Sequence, residues 1–253
     1  MSGIGPHHPT RQTTDQPHQP STAAACRWSR SWVEIDLGAL RRNYRLCREL
    51  ACRGGAGDCL IPAIKKDGYG HGLLNVARAL TQEPGLWGFA IATVEEAVLL
   101  RGPESGVGRE RRLLMLAPLH GEALEEAIRL DVDLTVTDAT EAAEVARAAR
   151  RLGARATVHF KLDTGMGRIG RLPAEAAGEF ARVLAMPELR VAAVYSHMAD
   201  AWNSVESRDS QRRAMEAFRS AAPGVAGLPV HWGGSDALAF AEAMAPGDGL
   251  RVG

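Results

Sequence analysis

An excess of either charge is the first thing this chain lacks. The 30 Lys and Arg residues balance 30 Asp and Glu, which leaves no electrostatic footprint for nucleic acid or an anionic membrane surface. No apolar run approaches the roughly 20 residues a membrane span requires. The four cysteines, Cys26, Cys47, Cys52 and Cys59, form no CxxC pair and match no zinc spacing, so they read as reduced thiols and no metal site is expected. With this composition the expected location is the cytoplasm. No GxGxxG follows an early strand, which argues against a dinucleotide-binding sheet.

Residues 1–31 also have almost no large apolar side chains. "GPHHPTRQTTDQPHQPSTAAA" is rich in Pro, His, Thr and Gln. It cannot bury enough surface to offset its ordering entropy, and it is expected to be a disordered tail. It has no apolar core of the kind a secretory signal needs.

From Trp32 onward, short β-rich runs alternate with longer amphipathic ones. The strand candidates are "WVEIDL" (32–37), "CLIPAIKK" (59–66), "LWGFAIA" (86–92), "RRLLMLAP" (111–118), "DLTVTD" (133–138), "RATVHFKLD" (155–163), "LRVAAVYSHM" (189–198), "PVHWGGS" (229–235) and "LRVG" (250–253). Most are continuous apolar runs, as parallel strands covered on both faces require. Between them, "GALRRNYRLCREL" spaces Leu40, Tyr44 and Cys47 helically, and "RDSQRRAMEAF" does the same with Met215 and Phe218. "TVEEA" and "TDATEAAE" read as capped helix starts with acids in the first turn. Strict alternation of this length predicts an α/β fold, a closed (β/α)8 barrel of parallel strands over 32–253. Nine strand candidates are one too many, and no helix follows "LRVG".

The chemistry-bearing residues lie at the ends of these strands. In "AIKKDGYGHG", Ile61, Ala63 and Lys65 share one strand face while Ile64 and Lys66 share the other. A lysine pointing into a barrel rim is poorly solvated as ammonium, which lowers its pKa and makes its amine a nucleophile. Strand parity leaves open which of the two it is. The Gly-rich loop that follows carries Tyr69. "HFKLDTGMGRIG" places Lys161, Asp163 and Arg168 around a second Gly-rich loop suited to holding an arginine rigid. Its DTG has no matching second half of the kind an aspartic protease needs. His197 ends an apolar strand, a place where a histidine is more often a satisfied core residue. "HWGGSD" brings Gly233, Gly234 and Ser235 to a strand end before a helix, which is a phosphate cradle in kind. Arg251 and Gly253 fall in the last strand, and barrel phosphate sites gather after strands seven and eight. An amine nucleophile, a phosphate cradle and polar groups for a ring point together to pyridoxal 5'-phosphate (PLP).

"WVEIDLGALRRNY", "AIKKDGYGHG", "FAIATVEEAVLLR", "HFKLDTGMGRIG", "YSHMADA" and "LRVG" together resemble the alanine racemase family over residues 32–253. The family's lysine motif, K-x-N-x-Y-G-H-G, is set in register by Tyr69 and selects Lys65. The resemblance implies a (β/α)8 barrel followed by a mostly β domain, with "WVEIDL" outside the barrel. The chain is then expected to stop before the last barrel helix and before that β domain. It implies that Lys65 joins the cofactor aldehyde and serves as one catalytic base, that Tyr69, Ser235 and the Gly253 backbone hold the phosphate, and that Arg168 bonds the phenolic oxygen. Lys161 matches a lysine carbamylated in some members, His197 one that packs on the pyridine ring, and Arg251 one that faces the ring nitrogen. The implied activity is interconversion of L- and D-alanine for peptidoglycan precursors by a homodimer. The second catalytic base is implied to be a tyrosine from the partner's β domain. The alternative is a single-barrel PLP-binding protein that serves cofactor homeostasis without turnover. Three positions depart from the family pattern. Gly234 and Asp236 flank the phosphate serine where Asn and a small residue are usual, and Asp67 replaces the Asn of the lysine motif.

Overall fold

The computed structural model describes residues 32–53, 60–243 and 248–253. The expected tail 1–31, with Cys26, and also Cys59, lie outside the described residues. Within 32–35 the indole of Trp32 donates to Glu34 at 2.9 Å. No strand forms over residues 32–36, so the "WVEIDL" expectation is corrected. A strand needs an edge to pair with, and no ladder involves these residues. The last residue of that run, Leu37, already belongs to helix α1, Leu37–Arg53.

Removing that strand resolves the count. Among the described residues seven parallel strands follow in chain order: β1 Gly88–Ile91, β2 Arg112–Met115, β3 Leu134–Val136, β4 Ala156–Lys161, β5 Leu189–Tyr195, β6 Val230–Gly233 and β7 Gly249–Leu250. The eighth segment is 60–64, held by bridges rather than a continuous ladder. Leu60 pairs with Leu86 and with Leu250, and Ala63 pairs with Ala90. A bridge between Leu114 and Asp133 joins β2 to β3. The ring therefore closes, with the first and last segments tied by Ile61 N–H to Leu250 O at 2.9 Å and Ala63 N–H to Val252 O at 2.7 Å.

Helices cover the ring. They are α2 Leu73–Leu80, α3 Val94–Arg101, α4 Gly121–Arg129, α5 Ala139–Arg151, α6 Pro173–Leu184 and α7 Val205–Ala221. Two expected starts carry their caps. Thr93 and Glu96 form a reciprocal capping box on α3, and Asp138 accepts from the amides of Thr140 and Glu141 on α5. After β6 the chain enters 3-10 turns, Ser235–Ala243, in place of the expected α-helix.

Strands β1, β3, β4 and β6 are buried at every position, as parallel strands under helices must be. Outside the ring the core is aromatic in part. Phe160 stacks with Phe218 at 6.3 Å and meets Phe180 edge-on at 5.3 Å. Phe160 is fully buried, so Phe160→Ala is expected to lower unfolding stability by about 3–5 kcal/mol in urea titration.

Candidate active site

Strand parity decides what enters the barrel. Positions two apart share a face, and the inward face is polar at five strands: Asp133 and Thr135, His159 and Lys161, Tyr195 and His197, His231 and Gly233, Arg251 and Gly253. On residues 60–64 the same face runs Ile61, Ala63 and on to Lys65. The C-terminal ends of these lines border a cavity of about 580 Å³. Every sequence-selected residue lies on its wall: Lys65, Tyr69, Lys161, Arg168, His197, Ser235, Arg251 and Gly253. Asp236 lines it too.

Lys65 stands half-buried at the rim, and Lys66 is exposed and turned away from the cavity. The reason is local. From Lys66 to Tyr69 the chain winds left-handed, with φ between 52° and 60°. Three of these four residues are not glycine, and each such residue costs about 1–2 kcal/mol. Side-chain acceptors hold the turn. Glu96 accepts from the amide of Lys66 at 2.6 Å, and Asp67 accepts from the amide of Leu73 at 2.6 Å. The Asp at the family's Asn position therefore caps the start of α2.

The second loop is built around Asp163. Its carboxylate accepts from the amides of Gly165 and Gly167 at 3.0 Å and of Arg168 at 2.9 Å. Burial opposes the charge, but these backbone donors outweigh it and hold the carboxyl below its ordinary range. The loop closes where Asp163 N–H meets Arg171 O and Arg171 N–H meets Lys161 O. At Gly170, φ is 137°, and a Cβ would sit 2.4 Å from the Leu162 carbonyl carbon. No residue with a side chain fits there, and Arg168 is carried to the cavity by that constraint.

Lys161 is the enclosed lysine, 5% exposed. Burial, helped by the charges of Arg251 and Arg168 and opposed by Asp163, pushes its ammonium down to about 7. Its Nζ lies 4.5 Å from the centre of the Tyr195 ring. Tyr195 is stacked on His231, and burial pushes its phenol up to about 12.

Arg251 forms the floor. One terminal nitrogen donates to His231 Nδ1 at 2.7 Å and His231 O at 3.0 Å. The other donates to Ser196 O and to His197 Nδ1, the latter at 3.2 Å. These bonds use its four terminal donors and leave the Nε–H. Burial pushes Arg251 down to about 10, so it remains a cation at neutral pH. At the cavity mouth, the Ser235 hydroxyl accepts from the Gly253 amide and donates to the Gly253 carbonyl, both at 3.0 Å.

Tyr195, His231, His159 and Asp133 were not singled out from the sequence as site residues. The signal was present. Each lies two positions before a chosen residue, or before another polar one, inside an apolar strand, and a polar residue at inward parity is what marks them.

Burial, then the charges of Arg251, Lys161, Arg168 and Lys65, push the His197 imidazole down to about 4 from 6.5. The unfolded chain thus takes up this proton before the folded one. Stability is expected to fall as pH drops through the window from about 6.5 to about 4. His197→Gln, which keeps an acceptor for Arg251, should reduce that slope in urea midpoints measured across the window.

The sequence model for "Alanine racemase, N-terminal domain" matches residues 35–253. The alanine racemase of Methylacidiphilum infernorum is 33% identical over 224 residues, covering 88% of this chain and 55% of that protein. The one from Pseudomonas syringae pv. syringae is 40% identical over 188 residues, covering 73% of this chain and 49% of that protein. Among solved structures, alanine racemase from Clostridium difficile 630 superposes with a TM-score of 0.79 at 28% identity, covering 88% of this chain and 57% of that one. The chain thus spans about half the length of the curated relatives it matches. By its matched residues and its closed parallel barrel, the chain belongs to the alanine racemase family, within the N-terminal domain.

Proposed function

We propose that this chain is the cofactor-binding half of a PLP-dependent alanine racemase. One observation carries the reading: a single cavity gathers an amine at its rim, a cationic floor and a hydroxyl–amide pair at its mouth. The residues present fit the cofactor. A Cβ at Gly253 would lie 3.2 Å from Ala63 Cβ and 3.3 Å from Tyr69 Cε2, so the missing side chain leaves room beside Tyr69 and Ser235. Among the described residues, Lys65, Lys161, Arg168 and Arg251 face that space against one carboxylate, that of Asp236, which suits an anionic ligand.

When bound, PLP supplies an aldehyde that takes up amines and a conjugated ring that draws electrons from the carbon beside the amine. Lys65 would anchor the cofactor by its amine and, once freed, could hold or return the α-proton on one face of the substrate. Tyr69, and Ser235 and the Gly253 amide once released from each other, would donate to the phosphate, and Arg168 would donate to the phenolic oxygen. His197, oriented by its bond from Arg251, would pack on the ring. Arg251 can only donate, so it keeps the ring nitrogen an acceptor. That limits electron withdrawal and favours return of the proton, hence racemisation over transamination. The lowered pKa of Lys161 keeps part of its amine neutral and open to carbon dioxide. As a carbamate it would attract Arg168, which as an ammonium it repels.

The opposite face needs a second acid–base group. Among the described residues, Tyr44 donates to Pro84 O, Tyr195 bonds Thr135 inside the barrel, and Tyr69 belongs to the phosphate end. We therefore assign that group to the tyrosine which the family resemblance places on a partner subunit's β domain, in a cytoplasmic homodimer supplying D-alanine for peptidoglycan. The same observation favours a second reading, cofactor binding without turnover. A chiral assay separates them: this chain alone should bind PLP and leave L-alanine unchanged, while a two-domain homodimer racemises it.

Borohydride reduction of the PLP-loaded protein should fix the label on the peptide containing Lys65, and Lys65→Ala should abolish it. A label elsewhere overturns the assignment. Asp236, with Oδ1 bonded to the Ala237 amide at 3.0 Å, is the one acidic side chain among the described residues lining the cavity. Asp236→Asn is expected to tighten PLP about three- to tenfold in a fluorescence titration.

A further inference from the structure

Below the cavity, the barrel axis carries a line of buried polar groups. His231 Nε2 lies 2.9 Å from His159 Nδ1, and His159 Nε2 lies 3.1 Å from Asp133 Oδ2. Arg112 holds Asp133 from the other side through Nε at 3.3 Å and a terminal nitrogen. His231, His159 and Asp133 are 3%, 1% and 0% exposed. The line runs from Arg251 to a second cavity of about 550 Å³ at the N-terminal end of the strands.

Its direction is forced. A guanidinium has no acceptor, so His231 Nδ1 accepts from Arg251 and the ring proton sits on Nε2. That proton is donated to His159 Nδ1, which puts the proton of His159 on Nε2, donated to Asp133. A carboxylate only accepts, so both ends agree with one arrangement, in which both rings are neutral. Reversing one ring breaks the bond to Arg251 or the bond to Asp133. Arg112 is shared between Asp133 and the half-exposed Asp131, which it meets at 3.0 Å, so it is geometry that keeps His159 neutral: as a cation it would turn a donor toward His231 Nε2, and His231 could no longer accept from Arg251 through Nδ1 while donating along the line. Aliphatic side chains at these inward positions would avoid the desolvation cost altogether.

We propose, on the reading of the cavity given above, that Asp133 and His159 are positioning residues for Arg251. The carboxylate sets the tautomer of His159, His159 sets that of His231, and His231 fixes the guanidinium so that its Nε–H is the donor left for the ligand. Neither residue touches the ligand.

The test is nitrogen NMR of the full chain labelled in histidine. In the wild type, His159 and His231 should both carry the Nε2 proton, with a coupling across the His231 Nε2 to His159 Nδ1 bond. In Asp133→Asn, Arg112 takes the amide oxygen and the amide NH₂ faces His159 Nε2. Both rings should then switch to the Nδ1–H form, and PLP, titrated by absorbance, should bind about fivefold more weakly (about 1 kcal/mol). His159→Leu leaves the Arg112–Asp133 pair intact, and in that background Asp133→Asn should leave His231 unchanged. A wild-type ring with the proton on Nδ1, or an unchanged His231 in folded Asp133→Asn, overturns the proposal. So does an effect on His231 that survives His159→Leu. If Asp133→Asn does not fold, the wild-type tautomers and coupling decide it. A wild type that shows these tautomers but binds no PLP upholds the positioning of Arg251 and overturns only the proposed function.

Discussion

Two hydrogen bonds close the barrel between its first and last segments, Ile61 N–H to Leu250 O and Ala63 N–H to Val252 O. The site depends on that closure. Ala63 and Lys65 come from one side of the seam, Arg251 and Gly253 from the other, and Ser235 from the strand beside it. The three glycine-rich turns of the rim meet only because residues far apart in sequence are neighbours around the ring. A slip of one residue at the seam would turn Arg251 outward and Val252 inward, exchanging the charged floor for an aliphatic one.

Closure also sets the electrostatics. Most barrel interiors are filled by branched aliphatic side chains. Here the axis holds Lys161, Arg251, His231, His159, Asp133 and Arg112, nearly all buried. The charges are not evenly distributed along it. Arg112 is held between Asp133 and Asp131 at the lower end, while among the described residues Lys161 and Arg251 at the upper end have no carboxylate at contact distance. Asp163 is the nearest acid to Lys161 in electrostatic effect, and its oxygens are engaged by loop amides. The upper end is thus left with positive potential, which adds to the burial that lowers the pKa values of Lys161 and His197.

Much of this was legible in the sequence. Alternating runs, continuous apolar strands and the caps at Thr93 and Asp138 foretold the elements, and seven of the nine strand candidates appear as strands. "CLIPAIKK" survives only as bridges over 60–64, because the left-handed turn begins at Lys66 and ends the pairing. "WVEIDL" is the run that forms no strand. Apolar alternation marks a segment that would pair, and says nothing of whether a partner edge exists. The site was legible at its rim, where glycine-rich motifs stand out. The axis beneath was not, because a single His or Asp inside an apolar run is read as an exception until the parity of five strands is compared at once.

The turn after the first barrel segment shows why two adjacent lysines are not equivalent. A right-handed turn at Lys66 would carry the chain away from the cavity, and Tyr69 with it. The left-handed one costs about 1–2 kcal/mol at each of Lys66, Asp67 and Tyr69, a penalty comparable to the total stability of a marginal domain. It persists because its amides are claimed. Glu96 accepts from Lys66 and also from Ala92 and Thr93, so one buried carboxylate links the lysine turn to the start of α3. Asp67 accepts from Leu73 and links it to α2. Strain of this kind survives where surrounding structure over-determines the backbone, and here both helices flanking the turn do so. Lys65 is the last residue with ordinary strand parity and Lys66 the first beyond it. That single step in backbone geometry, more than any difference between the side chains, separates the lysine that faces the cavity from the lysine that faces water.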